Sequence, residues 1–152
     1  MEVFRLTTLK YAQDLSGIGA KLYGGRWNKP GQAILYTAAS RSLALVEVLV
    51  HVANAYLPTD YQLLTIYIPD NSITELPITD LPIDWNNSPP PDGLKNFSEN
   101  WLSTNQYLGL KVPSAVVKGE FNYLLNPNHS DMNKVKILSQ EPFTFDSRLR
   151  AN

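Results

Sequence analysis

The sequence has no cysteine and only two histidines. The first absence excludes disulfides, thiolate metal sites and thiol nucleophiles. The second leaves His51 and His129, too few and too far apart in the chain to suggest a metal site. Long apolar runs are missing too. The stretch 43–53 is interrupted by Glu47 and His51 and falls well short of the ~20 residues of a membrane-spanning helix. No basic block stands out, and 13 Lys and Arg against 14 Asp and Glu give a net charge of -1. A chain so balanced offers no electrostatic footprint for a nucleic-acid backbone. The opening MEVFRLTT lacks a basic segment followed by an apolar one, so no signal peptide is expected. These absences fit a cytoplasmic protein with no membrane anchor and no direct nucleic-acid partner. A length of 152 residues suits one domain, spanning 1–152, with a real hydrophobic core.

What the chain does contain is a succession of short strand signals with few helices between them. Residues 3–7 read as a first strand, 16–31 (SGIGAKLYGGRWNKPG) as an ordered glycine-rich loop, and 33–38 (AILYTA) as a buried strand. Ser40 suits a helix N-cap, since its hydroxyl can accept from the free N–H groups of a first turn. That helix is expected to run to about Asn54, with Pro58 supporting the stop. Residues 61–68 (YQLLTIYI) are rich in β-branched and aromatic side chains, the strongest strand signal in the chain. Most of the prolines fall in 69–93, which reads as surface connection. Ser98 is expected to cap a short helix through Asn105, with Gly109 helping to close it. Strands are expected over 112–117, 120–125 and 134–138, and one more is suggested around Phe143 and Phe145. Strands that do not alternate regularly with helices imply an α+β domain with a mainly antiparallel, mixed sheet and packed helices.

Some residues are not explained by folding alone. Glu47 lies in LALVEVLV (43–50), a helix apolar nearly all round. A buried carboxylate costs several kcal/mol unless it is paired and hydrogen-bonded. It is therefore either half of a structural ion pair or a carboxylate at the floor of a cleft. Arg26, in GGRWN (24–28), follows two glycines that let a ligand approach the backbone closely. Its fork can grip phosphate oxygens, or make an ordinary salt bridge in a turn. The glycines do not make a dinucleotide-fold fingerprint, because Gly17 and Gly19 are followed by Leu22 where a third glycine belongs. Tyr36 sits in an otherwise apolar strand and reads first as a core aromatic. Ser114 has no G-x-S-x-G elbow around it, so a hydrolase nucleophile is not indicated. His129 reads as a turn residue, and Asp146 with Arg148 as a pair near the end of the chain.

Six segments together resemble the RES-domain family, named for its arginine, glutamate and serine. They are GGRWN (24–28), ILYTA (34–38), SLALVEVLVH (42–51), VPSAVV (112–117), EFNYLLNPNH (120–129) and FTFDSRL (143–149). Their order and spacing cover nearly the whole chain. Lys118 and Gly119 stand where a proline often follows the valines, and 69–98 matches the family only loosely. By matching positions, the family arginine, tyrosine, glutamate and serine are Arg26, Tyr36, Glu47 and Ser114.

The resemblance implies a fold similar to that of ADP-ribosyltransferases. It also implies a bacterial growth-arresting toxin that depletes NAD+ by hydrolysis or phosphorolysis of the nicotinamide–ribose bond. NAD+ would be the substrate, with no further cofactor and no metal. Transfer of ADP-ribose to a specific protein and a non-catalytic binding domain are the alternatives. The implied partner is an Xre-like antitoxin whose C-terminal part plugs the active site, in an oligomeric complex. Nicotinamide leaves as a neutral molecule while positive charge builds on the ribose. Under this reading Glu47 meets that charge, Arg26 fixes the pyrophosphate, and Tyr36 stacks on the nicotinamide or ribose. Ser114 donates to a phosphate, and Trp27 joins the NAD-binding group.

Overall fold

The computed structural model describes residues 1–52 and 59–149. Seven strands form one sheet in the order β4-β5-β6-β2-β1-β3-β7. They are β1 (Glu2–Thr8), β2 (Leu35–Ala38), β3 (Tyr61–Tyr67), β4 (Ile73–Glu75), β5 (Gly109–Pro113), β6 (Phe121–Leu125) and β7 (Lys136–Pro142). Only β4 and β5 run parallel, so the expected mixed and mainly antiparallel sheet is what the chain forms. Both faces are buried, as the alternation along β6 shows. Tyr123 and Leu125 enter a cluster with Val3, Leu35, Leu64 and Ile66. Leu124, between them, packs on the other side with Trp27, Ile34, Leu110 and Val112.

Among the described residues three α-helices complete the fold: α1 (Ile18–Tyr23), α2 (Arg41–Leu49) and α3 (Leu94–Thr104). Ser40 caps α2 as its sequence suggests, its Oγ accepting from the Leu43 N–H at 3.1 Å. Leu43 and Ala44 of α2 pack with Leu6, Ala38 and Leu63 of the sheet. The helix ends at Leu49, short of Asn54, and both Asn54 and Pro58 lie outside the described residues.

The structure corrects several sequence expectations. Residues 16–31 are not all loop, because they hold α1, which closes on Gly24 at φ 71°. This helix has six residues and buries none of them, so it leaves no apolar stripe in the sequence. The proline-rich 69–93 contributes β4, a three-residue strand too short for a pattern. Ser98 is not a cap. It lies fully buried in the middle of α3, and its hydroxyl is bonded to the Trp27 and Lys95 carbonyls. Asn105, left-handed at φ 49°, ends that helix instead of Gly109. The strand expected over 112–117 stops at Pro113, because the Ser114 hydroxyl then takes the N–H groups of Val116 and Val117, both at 3.1 Å. Phe143 and Phe145 form no strand. Their rings meet edge to face at 5.1 Å, and Phe145 meets Tyr61 in the same way.

Candidate active site

Strand register aligns Phe4 of β1, Ala38 of β2 and Asn122 of β6 in one row across the sheet. Above this row runs α2. Ala44, Glu47, Val48 and His51 share one stripe of that segment and line a cavity of about 860 Å³, a size that accommodates a cofactor-sized ligand. Arg26, Trp27 and Tyr36 line the same cavity. The side chains singled out around Arg26, Tyr36 and Glu47 therefore converge.

The wall bearing Arg26 is organised by Asn28. This residue is 0% exposed, and its Nδ2 donates to the carbonyls of Ala20, Gln32 and Lys29 at 2.8, 3.0 and 3.1 Å. Its Oδ1 accepts from the Tyr36 hydroxyl at 2.8 Å, and that hydroxyl accepts from the Trp27 N–H at 3.2 Å. The phenol oxygen is thereby spent on the loop, and the ring is what Tyr36 offers the cavity. Burial raises the Tyr36 pKa, opposed by the Trp27 hydrogen bond and by Arg26, so the phenol keeps its hydrogen. Gly25 is required here, since a Cβ on it would lie 2.8 Å from the Tyr36 hydroxyl. Trp27 is 2% exposed and is mainly a core residue. Arg26 is half-buried, and its Nη1 donates to the carbonyls of Trp85 at 2.9 Å and Asn87 at 3.0 Å. Burial lowers its pKa, while the nearby Glu47 and Tyr36 raise it. The group remains a cation at neutral pH.

On the opposite wall, Glu47 is half-buried and forms no ion pair with any described residue. The structural salt bridge that would explain Glu47 thus has no partner among the described residues. Two neutral donors hold it instead, both on Oε1: the Asn122 amide at 2.6 Å and the Ser114 hydroxyl at 2.9 Å. Such bonds to a carboxylate are stronger than neutral ones and fix its orientation. Because the Ser114 oxygen already accepts from two N–H groups, its single hydrogen is directed to Glu47. Ser114 is 3% exposed and does not line the cavity. Its expected role as a phosphate donor gives way to that of a support behind the glutamate.

Asn122, His51 and Arg5 are lining residues that the sequence did not assign to the site. Asn122 is an amide in the strand FNYLL, on the face shared with Leu124, and this polar break in the alternation was its signal. His51 stands four residues after Glu47, one helical turn along the same stripe. Arg5, on β1, lies along the cavity's edge, but it pairs with Leu64 of the opposite face, and its Nη1 donates to the Asp14 carbonyl at 2.8 Å. Burial lowers its pKa, with Asp14 opposing. The arrangement thus sets the Arg26 guanidinium and one oriented carboxylate around an aromatic ring. Among the described residues no cluster of His, Asp and Glu suited to a metal ion occurs.

This fold and site place the chain in a recognisable class. The crystal structure of the Mycobacterium tuberculosis MbcT–MbcA toxin–antitoxin complex contains a chain of the same architecture, with a TM-score of 0.78 over 94% of this chain and 84% of that one, at 22% identity. The expected ADP-ribosyltransferase-like α+β fold is borne out. More particularly, the chain belongs to the RES domain family, whose profile matches residues 2–146. It is 45% identical over 151 residues to Toxin Res of Photorhabdus laumondii, covering 98% of this chain and 97% of that protein. It is 37% identical over 141 residues to a Prs ADP-ribosylating toxin of Sphingobium, covering 91% and 88%.

Proposed function

We propose that this chain is the toxin of a toxin–antitoxin pair and that it cleaves the nicotinamide–ribose bond of cytoplasmic NAD+. The observation that carries this reading is Glu47: a carboxylate without a counter-ion among the described residues, aimed by two neutral donors, in a cavity that Arg26 and Tyr36 also line. Cleavage breaks the bond between C1′ of the ribose and the pyridinium nitrogen. The bonding electrons leave with nicotinamide, which departs neutral, and the ribose becomes oxocarbenium-like. Glu47 stabilises that charge and accepts from a ribose hydroxyl through its Oε2, since Oε1 is occupied. Arg26 balances the pyrophosphate, and the Tyr36 ring lies against the leaving pyridine or the ribose. An acceptor then closes the cation: water gives ADP-ribose and phosphate gives its 1″-phosphate.

The Sphingobium relative, an ADP-ribosylating toxin by name, supports a second reading in which a protein side chain is the acceptor. An antitoxin partner is supported by the structural neighbour, whose crystals hold a toxin–antitoxin complex; an Xre-like partner is part of the proposal. The test is to incubate the purified protein with NAD+, with and without phosphate, and to identify products by mass. Free nicotinamide with ADP-ribose or its phosphate is expected. Intact NAD+ after prolonged incubation, with parent and Glu47→Gln indistinguishable, would sink the proposal.

A further inference from the structure

The cavity has a wall that neither Arg26 nor Glu47 explains. Asn86, Ser88 and Pro90 line it, on the segment following residue 82. This strap is held from two sides. From within, the Trp85 ring packs on the cluster of Trp27, Leu94 and Trp101, and turns bond Trp85 N–H to Pro82 and Asn87 N–H to Asp84, both at 3.0 Å. From the cavity side, one nitrogen of Arg26 takes the carbonyls of both Trp85 and Asn87. The two carbonyls flanking Asn86 are thus clamped on a single cation. Arg26 keeps its Nε and Nη2 hydrogens for a ligand, so the strap stands at a set distance from the anion it would bind.

Several other polar groups on the cavity walls are already committed. The Tyr36 hydroxyl serves Trp27 and Asn28, the Thr37 hydroxyl donates to the Tyr123 carbonyl, and the Asn122 amide nitrogen holds Glu47. Asn86 is exposed and makes no side-chain hydrogen bond with the described residues. It offers a donor and an acceptor side by side. That pair is complementary to a planar edge carrying an acceptor beside a donor, as the adenine N6/N7 edge or a carboxamide does.

We propose that the strap is a substrate-recognition wall and that Asn86 is its specificity-determining residue, reading an amide-like edge of the dinucleotide. The inference rests on the NAD+ reading above. Both ends of NAD+ carry such an edge, the purine of adenine and the carboxamide of nicotinamide, and the two are separated by experiment. Steady-state cleavage is measured with NAD+, with nicotinamide hypoxanthine dinucleotide (purine edge altered) and with nicotinic acid adenine dinucleotide (carboxamide altered). The variant is Asn86→Leu, with its melting temperature recorded beside the parent's. Intrinsic differences in reactivity among the substrates cancel when the variant is divided by the parent on the same substrate.

Asn86→Leu is expected to raise the KM for NAD+ about tenfold, the scale of one or two neutral hydrogen bonds, with little change in kcat and an unaltered melting temperature. On the analogue whose edge Asn86 reads, the loss is smaller, because both altered edges present two acceptors and leave the Asn86 oxygen no donor to meet. Equal losses on all three substrates, or no loss on any, would overturn the assignment. If the parent cleaves none of the three, the NAD+ reading itself fails and this inference falls with it.

Discussion

The two walls of the cavity are built differently. Glu47 stands on a capped helix, and its oxygen is held by donors from β6 and from the turn after β5. Arg26 stands on a loop and is tied to a second loop through backbone carbonyls. A side chain on a regular element with its partners on neighbouring elements is positioned more tightly than one on a loop. On the proposed function, the bond-breaking step would belong to the Glu47 wall and substrate fit to the Arg26 wall. Losses on the first are then expected in kcat and losses on the second in KM.

The largest expected effect is that of Glu47→Gln. The glutamine oxygen keeps both donors, Ser114 and Asn122, so its amide NH2 occupies the place of Oε2. A donor then faces the developing cation where an acceptor stood. Turnover of NAD+ is expected to fall roughly 10²–10³-fold, with the melting temperature held or raised, because no ion pair among the described residues is broken. Thermal unfolding and NAD+ loss measured on one preparation decide it. A large drop in melting temperature with near-normal turnover would make Glu47 a structural residue.

Arg26→Ala comes next. Removing a charged phosphate contact costs ~1.5–3 kcal/mol, or roughly 10- to 150-fold in kcat/KM, and the strap loses its latch as well. The loss is expected mainly in KM, read from initial rates over a range of NAD+ concentrations. A pure kcat effect would erase the division between the walls. Asn122→Leu sharpens the same division from the other side. It takes one of two donors from the Glu47 oxygen, worth about 1.5 kcal/mol or more for a bond to a charged group. A fall of about tenfold in kcat with KM unchanged is expected. A matching rise in KM would mean that Asn122 also touches substrate.

The smallest effect belongs to a residue on neither wall. Asp146 and Arg148 pair at 2.9 Å on the exposed surface, and Arg148 lowers the Asp146 pKa by its hydrogen bonds. Exposed pairs of this kind contribute little. Asp146→Ala should leave turnover and melting temperature where they are, and a clear change in either would reveal a role outside the cavity.

Legibility followed the same division. The Ser40 cap and the strand over 61–67 were local statements, and they held; the helix expected to be buried all round buries only Leu43 and Ala44, and Glu47 is half-buried. The six-residue α1, the three-residue β4 and the strap were not legible, because their order comes from partners far away in the chain. Trp85 is ordered by Trp27 and Arg26 across 58 and 59 positions, and no periodicity encodes that. Ser114 was recognised as a site residue for the wrong duty, since only the fold reveals that its hydrogen points at Glu47 rather than into the cavity.

By itself the sequence determined the chemical types that any site here must use. Without cysteine or a histidine cluster, the work falls to arginines, a carboxylate and aromatic rings. It also determined that one carboxylate sits in an apolar helix. The tertiary structure decided how that carboxylate is used. Hydrogen bonds from Ser114 and Asn122, 67 and 75 residues away, select which oxygen is held and which is left for a substrate. Orientation of this kind depends on distances of a few ångströms between segments remote in sequence, and strand register together with helix packing is what brings those segments together.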